Sequence, residues 1–167
     1  MIPISALPIT IRAYETADAA NLTSLFRDSV RGIAARDYTA RQLQAWAPDV
    51  IDERAFGQRC ETRITWVAEV DGRVAGFSDL EPDGHVGMLY VHPDWQRRGV
   101  ARALLEHVEK TARRIDLRRL YTEASLTARP AFEAMGFRII VAQTVTLRGE
   151  SLMNYRMEKR LEPPAAA

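Results

Sequence analysis

The sequence predicts an α/β fold in which a mixed β-sheet of six to seven strands is flanked by about four helices. Short segments of strand character alternate along the chain with segments whose apolar residues recur at the spacing of a helix face. An Asp-Gly pair joins two neighbouring strand segments, which is typical of an antiparallel hairpin. A long amphipathic helix connects that region to a later strand, and a crossover of this kind indicates a mixed sheet.

The first third of the chain is predicted to contain one strand and two helical regions. Residues 9–12 suggest a strand, and Thr16 is expected to cap a helix with apolar side chains between residues 22 and 26 on one face. The second helical region spans residues 39–60. It is expected to break at Pro48, because proline has no backbone N–H to donate.

The middle of the chain is predicted to be mostly strand. Residues 64–70 and 73–77 flank Asp71-Gly72, and Asp-Gly supplies the positive φ angles of a two-residue hairpin turn. A second pair, Asp83-Gly84, precedes a strand that ends at Val91.

The last part combines two helices with three strands. A helix is expected to begin near Gly99, because apolar residues then recur at helical spacing. A strand at 120–123, a helix at 128–135 and two strands ending near Met157 follow. The buried face of the first helix is expected to comprise Val100, Leu104, Leu105, Val108 and Ala112.

Length and composition indicate one domain. A chain of 167 residues with 47% hydrophobic content fits a single domain over residues 1–160, followed by a flexible tail over residues 161–167. Cys60 is the single cysteine, which excludes an internal disulfide and is compatible with a reducing compartment. We find no membrane-span pattern and no signal-peptide pattern, so we expect a cytoplasmic protein without a membrane partner.

The charge balance argues against a nucleic-acid partner. The formal net charge is +1, and the basic residues concentrate near residues 97–102 and in the segment 113–119. That second cluster has two interpretations. It could be a solvated helix face, or Arg113, Arg114, Arg118 and Arg119 could contact phosphates, with a steep salt dependence. No metal is expected, because the three histidines and the cysteine lack ligand spacing.

Residues 91–101 lead from an apolar strand into the amphipathic helix and predict a phosphate site. The first turn of a helix leaves backbone N–H groups without partners, and Gly99 lets the backbone approach a ligand. Arg97, Arg98 and Arg102 add positive charge there. A Walker loop and a dinucleotide fingerprint both need further glycines, which this turn lacks.

The pattern Gln-x-x-Gly-x-Ala at 96–101, preceded by Val-x-Pro at 91–93, resembles the pyrophosphate loop of the GNAT superfamily of acetyl-CoA-dependent N-acetyltransferases. Leu-Tyr-Val at 89–91 stands where that family has its splayed central strand. Residues 131–137, Ala-Phe-Glu-Ala-Met-Gly-Phe, resemble its late helix-to-strand signature. The resemblance extends over roughly residues 9–159 and points to small bacterial members.

The resemblance implies a GNAT-like fold, in which the strand containing Leu89 diverges from the strand containing Glu123 and the pantetheine arm of acetyl-CoA enters the gap. The backbone of Leu89 and Val91 would bind pantetheine amides, although their side chains are more simply explained as core residues. The implied coenzyme-binding residues are Leu89, Tyr90, Val91, Gln96, Arg97, Arg98, Gly99, Val100, Ala101, Arg102, Ser125 and Phe132.

Acetyl transfer to an amine needs a base and donors for the oxyanion, and the thiolate leaving group benefits from a proton source. Glu123 is a candidate base near the end of the strand beside the splay, although it could instead pair with an arginine. His85 is the second, with an unperturbed pKa of about 6.5, although it could be a solvated turn residue. Glu81, close to His85 in the sequence, is the third candidate. His92 and His107 are not expected to be catalytic.

One departure from the family concerns the proton donor. Phe132 stands where many members carry a tyrosine that protonates the thiolate, and a core role suits this phenylalanine equally well. Tyr90 and Tyr155 are candidate substitutes, or the thiolate leaves unassisted. Ser125 is the nearest residue to the family's usual asparagine and could cap the late helix.

The acceptor site is implied to lie between the early helices and the final hairpin. Tyr38 and Trp46 are candidate acceptor contacts, and Asp37 or Asp49 could hold an amine; a packing role for Trp46 is an equally good interpretation. The predicted function is transfer of acetyl from acetyl-CoA to a small-molecule or peptide primary amine by direct attack. The alternative is a catalytically silent acyl-CoA-binding module. A homodimer through the terminal strands is permitted by the alternation at 141–147.

Overall fold

Seven strands form two antiparallel sheets in the computed structural model, which describes residues 7–163. The mixed α/β class and the number of strands are therefore confirmed. The first sheet has the order β1-β2-β3-β4, with β1 Ile9–Ala13, β2 Ile64–Val70, β3 Arg73–Leu80 and β4 Leu89–Val91. The second has the order β5-β7-β6, with β5 Arg119–Ser125, β6 Arg138–Leu147 and β7 Glu150–Arg160.

Five α-helices cover the sheets, one more than expected. They are α1 Ala19–Ile33, α2 Ala40–Trp46, α3 Glu53–Glu61, α4 Val100–Arg114 and α5 Arg129–Ala134. The predicted apolar face of α4 is buried in the largest core cluster, together with residues of β2, β3, β5 and α5. A second cluster joins α1 and α3 to β3. Within residues 7–163, no helix has the length and apolar character needed to cross a bilayer.

The helix boundaries follow the predicted signals except at Thr16. Thr39 caps α2, Asp52 caps α3, and the chain is non-helical around Pro48. The prediction that Thr16 caps the first helix is wrong, because Asp18 accepts the Glu15 backbone N–H at 2.8 Å and shapes a short 3-10 turn before α1. The Thr16 hydroxyl donates to Glu61 instead.

The two sheets meet at the second Asp-Gly turn and then part. The Val86 N–H donates to the Tyr121 carbonyl at 2.8 Å, and the Tyr121 N–H donates to the Gly84 carbonyl at 3.0 Å, which makes a single parallel bridge. Gly84 has φ +97°, and a Cβ there would lie 2.2 Å from the Arg119 carbonyl oxygen, so only glycine fits. Beyond this bridge β4 pairs with β3 and β5 pairs with β7, which is the splay that the resemblance implies.

The structure also describes the first Asp-Gly turn, the basic segment, part of the C-terminal tail and the single cysteine. The Asp71-Gly72 hairpin is present, with positive φ at both residues. In the basic segment, Arg113 pairs with Glu109 and Arg119 pairs with Glu158. Of the expected tail, Leu161 is buried in the core, and residues 164–167 lie outside the described residues. Cys60, on α3, is buried in the second cluster.

Candidate active site

A cavity of about 750 Å³ lies where β4 and β5 have parted. Its lining includes β4 on one side and, on the other, residues 125–128, which are the last residue of β5 and the turn that follows it. The start of α4, residues of α5 such as Pro130 and Ala131, and the C-terminal part of α1 also line it. The position and extended lining fit a long ligand that enters between the strands. We call this the first cavity.

The phosphate loop, residues 96–102, closes one end of the first cavity. Within the described residues, nothing accepts a hydrogen bond from the backbone N–H groups of Gly99 through Arg102. Gly99 has φ +82°, and Arg97 has φ +57°, a conformation that costs a non-glycine residue about 1 kcal/mol. Free N–H groups at the start of a fifteen-residue helix form an anion site.

Most of the predicted coenzyme residues line the first cavity. They are Leu89, Tyr90, Val91, Gln96, Arg97, Gly99, Val100, Ala101, Arg102 and Ser125. The Ser125 hydroxyl also accepts the Ala128 N–H at 2.9 Å, so it holds the turn before α5, whereas the helix itself begins after Ala128 without a side-chain cap. The Arg98 guanidinium lies 5.0 Å from the Trp95 ring centroid and is not among the lining groups. Phe132 is buried and packs edge to face on Phe137, so its side chain is part of the hydrophobic core.

A second cavity, of about 650 Å³, lies on the other side of Trp46 and Tyr90, and these two side chains line both cavities. It is enclosed by α1, the segment between α2 and α3, α3, and the turn between β6 and β7. This is the region that the resemblance implies for the acceptor. Its other lining residues are Phe26, Pro48, Val50, Ile51, Asp52, Ala55, Phe56, Arg59, Met88, Leu147 and Arg148.

Tyr38 supports this region without lining either cavity. Its hydroxyl donates to the Met153 carbonyl at 2.6 Å and accepts the Leu126 N–H at 3.0 Å. Its ring packs edge to face on Trp46 at 5.5 Å between centroids. Tyr38 therefore holds Trp46 in place between the cavities.

The two aspartates considered for the acceptor amine already have partners. Asp37 accepts the Thr127 hydroxyl at 2.7 Å and also lines the first cavity. Asp49 pairs with Arg31 at 2.7 Å and lines neither cavity.

Tyr90 stands at the boundary between the cavities with its phenol protonated. Burial raises the pKa of Tyr90 to about 12, while the charge of Arg59 acts in the opposite direction. The ring packs against Phe26 and Phe77 at 4.9 and 5.5 Å between centroids. A neutral phenol at this boundary is a potential donor of a proton or a hydrogen bond.

His85 lies between two carboxylates. Its Nδ1 is 2.7 Å from a Glu81 oxygen, and its Nε2 is 2.5 Å from a Glu123 oxygen. Burial lowers the pKa of His85, but hydrogen bonds to Glu81 and Glu123 outweigh this effect and the net pKa is raised. The structure thus joins the two separately predicted bases, and Glu123 pairs with a histidine rather than an arginine.

Two further side chains, Arg63 and Asp79, extend this arrangement to the splay. Arg63 contacts Glu81 at 3.2 Å and the fully buried Asp79 at 3.0 Å. The other Asp79 oxygen accepts the backbone N–H groups of Gly87 and Met88, at 2.8 and 2.7 Å. We call Glu81, His85, Glu123, Arg63 and Asp79 the acid–base cluster. Asp79, the buried member of this cluster, thereby fixes the backbone immediately before β4.

The acid–base cluster does not itself line either cavity. Glu123 and Ser125 lie on the same face of β5, because side chains alternate along a strand, and roughly 7 Å of strand separates them. Ser125 lines the first cavity, and Glu123 is the preceding side chain on the same face of β5, so it lies about one side-chain repeat farther from the cavity. Its side chain is 43% exposed, which leaves it accessible to water and to an acceptor.

Sequence reasoning missed Asp79, Arg63 and the two arginines of the second cavity. Asp79 offered a signal, since it is an ionisable residue between the apolar Phe77 and Leu80 in a strand. A buried carboxylate needs partners, and these come from neighbouring segments of the sheet. The sequence gives no comparable signal for Arg59, because a single arginine on a polar helix face is common.

Comparison with known proteins agrees with the geometry. The family model of the acetyltransferase (GNAT) domain matches residues 34–159. The uncharacterized N-acetyltransferase YafP of Escherichia coli K12 is 35% identical over 150 residues, covering 89% of this chain and 94% of that protein. A GCN5-related N-acetyltransferase from Rhodopseudomonas palustris superposes with a TM-score of 0.89 at 34% identity, covering 93% and 98% of the two chains.

A more distant likeness is to yncA from Salmonella typhimurium, whose structure was solved with its cofactor acetyl-CoA. Its TM-score is 0.72 at 22% identity, covering 96% of this chain and 98% of that one. At this identity the likeness concerns the fold.

Proposed function

Because the chain belongs to the GNAT family of acetyltransferases, we propose that it transfers the acetyl group of acetyl-CoA to a primary amine by direct attack in a ternary complex. One observation carries this proposal. The free N–H groups of the phosphate loop open into a cavity between parted strands, and among residues 7–163 only Trp46 and Tyr90 line both that cavity and a second one. Two adjoining cavities suit two substrates that are bound at the same time.

In this proposal the coenzyme occupies the first cavity. Its diphosphate binds the N–H groups from Gly99 to Arg102, with Arg97 and Arg102 adding charge. Its pantetheine arm lies along the backbone of Leu89 and Val91, which line the cavity. The structure of yncA with acetyl-CoA, which shares the fold, supports this assignment.

We assign the base to Glu123, with His85 as its positioning partner. A raised pKa favours the imidazolium form of His85, in which both ring nitrogens donate and neither can accept a proton. The carboxylate of Glu123 is therefore the member of the pair able to take the ammonium proton, directly or through one water. Glu81 holds the other side of the His85 ring.

Tyr90 is the proposed proton donor to the departing thiolate. Its phenol is neutral, lines the first cavity and belongs to β4 itself, whereas Phe132 has no proton to give. Tyr155, the other candidate, contacts Arg129 through its hydroxyl at 3.5 Å and lines neither cavity. A thiol is a tolerable leaving group, so this donation assists the reaction without being essential to it.

The alternative function is a catalytically silent acyl-CoA-binding module, for which Phe132 at the usual tyrosine position is the supporting feature. The enzyme and the silent module differ in one measurable respect. Both bind acetyl-CoA, but only the enzyme releases free thiol in the presence of an amine.

The experiment measures free thiol from acetyl-CoA with a panel of polyamines, aminoglycosides, amino acids and peptide N-termini, beside the thermal stability of the protein with acetyl-CoA. We expect a higher Tm with acetyl-CoA and thiol release with at least one acceptor class. A higher Tm without thiol release from any acceptor would favour the silent module. No change in Tm and no thiol release would contradict both functions.

The remaining features of this proposal concern the whole protein. We propose a single catalytic domain over residues 1–160, a cytoplasmic location, no nucleic-acid partner and a homodimer through the terminal strands. Support for the dimer comes from β6, an edge strand with exposed apolar side chains, among them Ile140 and Val141. Sedimentation analysis at micromolar concentration would test the dimer.

A further inference from the structure

The second cavity has a wall of aromatic rings. Phe26, Phe56, Trp46 and Tyr90 all line it, and Phe26 packs on Phe56 with 5.7 Å between ring centroids. Met88 and Leu147 add aliphatic surface. Rings arranged in this way bind flat or large apolar groups and gain little from a small polar amine.

Two arginines line the same cavity from opposite elements, Arg59 on α3 and Arg148 in the turn between β6 and β7. Across residues 7–163, neither guanidinium has a carboxylate oxygen within salt-bridge distance. Arg148 donates one hydrogen bond, to the Ala45 carbonyl at 2.5 Å, and its other guanidinium donors have no partner in the part of the chain that the structure describes. Both residues are exposed, so the positive charge is presented to an entering ligand.

The acidic side chain in this cavity is Asp52, and it has a structural task. One of its oxygens accepts the Ala55 N–H at 3.0 Å, which caps α3. Two guanidinium groups against one capping carboxylate leave the cavity net positive. A polycationic acceptor such as a polyamine is disfavoured there, and a carboxylate is favoured because guanidinium binds it with paired hydrogen bonds.

From this wall and these charges we propose that the acceptor is a carboxylate-bearing amine with an aromatic or large apolar body, of the kind represented by aromatic amino acids. The inference rests on the proposed function, since it assigns the second cavity to the acceptor. The apolar body lies against Phe26 and Phe56, and the carboxylate pairs with Arg59 or Arg148. The amine then lies toward Tyr90 and Trp46, which border the coenzyme cavity.

The test compares ligands that differ in the carboxylate alone. Tryptophan and tryptamine, and phenylalanine and phenethylamine, are titrated by calorimetry into the full chain, with and without saturating coenzyme A. We expect the carboxylate member of each pair to bind about tenfold more tightly. Equal or tighter binding of tryptamine and phenethylamine would overturn the inference, and so would the absence of binding by all four ligands.

Variants identify the source of the preference. Arg59→Gln and Arg148→Gln together should remove the advantage of the carboxylate ligands without weakening the binding of tryptamine, whose positive charge no longer meets the two guanidinium groups. Arg54→Gln is the matched control, since Arg54 is an exposed arginine of α3 that does not line the cavity. An advantage that survives in the double variant, or that Arg54→Gln also removes, would contradict the assignment.

The outcomes separate the two proposals. If the amine panel yields thiol release only with cationic acceptors while tryptophan does not bind, the acceptor class is wrong and the acetyltransferase function stands. If acetyl-CoA neither binds nor reacts, the proposed function fails, and the titrations without coenzyme still decide whether the second cavity selects carboxylates.

Discussion

In the phosphate loop, the backbone N–H groups from Gly99 to Arg102 have no acceptor among the described residues, whereas in the acid–base cluster both ring nitrogens of His85 already contact carboxylates. The loop is made of consecutive residues and uses its backbone. The cluster brings together side chains from β3, β5, the turn between β3 and β4, and the segment before β2.

This difference shows how the two halves of the site are prepared for their ligands. The phosphate loop is completed by an anion, so binding should stabilise it strongly. The acid–base cluster is complete without a ligand, so its geometry is set when the protein folds. Disturbing the loop should therefore change binding, and disturbing the cluster should change catalysis and stability.

The largest effect is expected from Gly99→Glu. The added carboxylate would lie in the anion site and repel the diphosphate, so the rise in Tm caused by acetyl-CoA should disappear in a thermal melt. Gly72→Glu is the matched control, because Gly72 also has positive φ and has open space around it in the hairpin turn. Acetyl-CoA binding that persists in Gly99→Glu would show that the loop is not the diphosphate site.

The next effect is expected from Glu123→Gln, which removes the proposed base without changing the shape of the side chain. We expect kcat to fall by about 10² to 10⁴ and the acidic limb of the pH–rate profile to disappear, while acetyl-CoA still raises the Tm. Glu81→Gln is the control on the other side of His85 and should keep the acidic limb. A profile that keeps this limb in Glu123→Gln would exclude Glu123 as the base.

A third prediction concerns the buried end of the cluster. Asp79→Ala removes the acceptor of two backbone N–H groups and leaves Arg63 without that partner. We expect the free energy of unfolding to fall by about 3 kcal/mol in urea denaturation. Asp49→Ala, which breaks a surface pair with Arg31, should leave the unfolding midpoint unchanged. Equal midpoints for the two variants would mean that Asp79 does not hold the splay.

The smallest effect is the pH dependence of stability. The pKa of His85 is raised in the folded protein, so its contribution is complete below the unfolded pKa of about 6.5 and is lost as the pH rises through the folded pKa. His85→Gln should therefore reduce the unfolding free energy more at pH 5.5 than at pH 8.5. A difference between parent and variant that is the same at both pH values would contradict the ion pairing.

Much of the fold could be predicted from the sequence because its signals are local. The Asp71-Gly72 turn and the apolar face of α4 each depend on residues close together in the chain, and both are confirmed. Thr16 failed as a cap because Asp18, two residues later, provides a charged acceptor that Arg12 holds with two hydrogen bonds. The sequence alone does not show which of two candidate capping residues accepts the backbone N–H.

The candidate site likewise has one part that can be predicted from neighbouring residues and one part that cannot. The phosphate loop is a single contiguous segment, so its spacing could be recognised directly. Glu123 and His85 were predicted as alternatives and not as a pair, because they are 38 positions apart in the chain and their contact depends on the parallel bridge between His85 and Tyr121. Arg63 and Asp79 join them only through the pairing of β2 and β3, which no short pattern records.

Cys60 has a practical consequence for measuring this chemistry. Burial raises the pKa of the Cys60 thiol to about 11, and the side chain extends from α3 into the core, in the cluster that also contains residues of α1 and β3. A disulfide reagent should thus find no reactive sulfur in the native chain, and the colour that develops during turnover comes from coenzyme A alone. After denaturation the same reagent should detect one equivalent per chain, so one chromophore reports both product formation and loss of the native state.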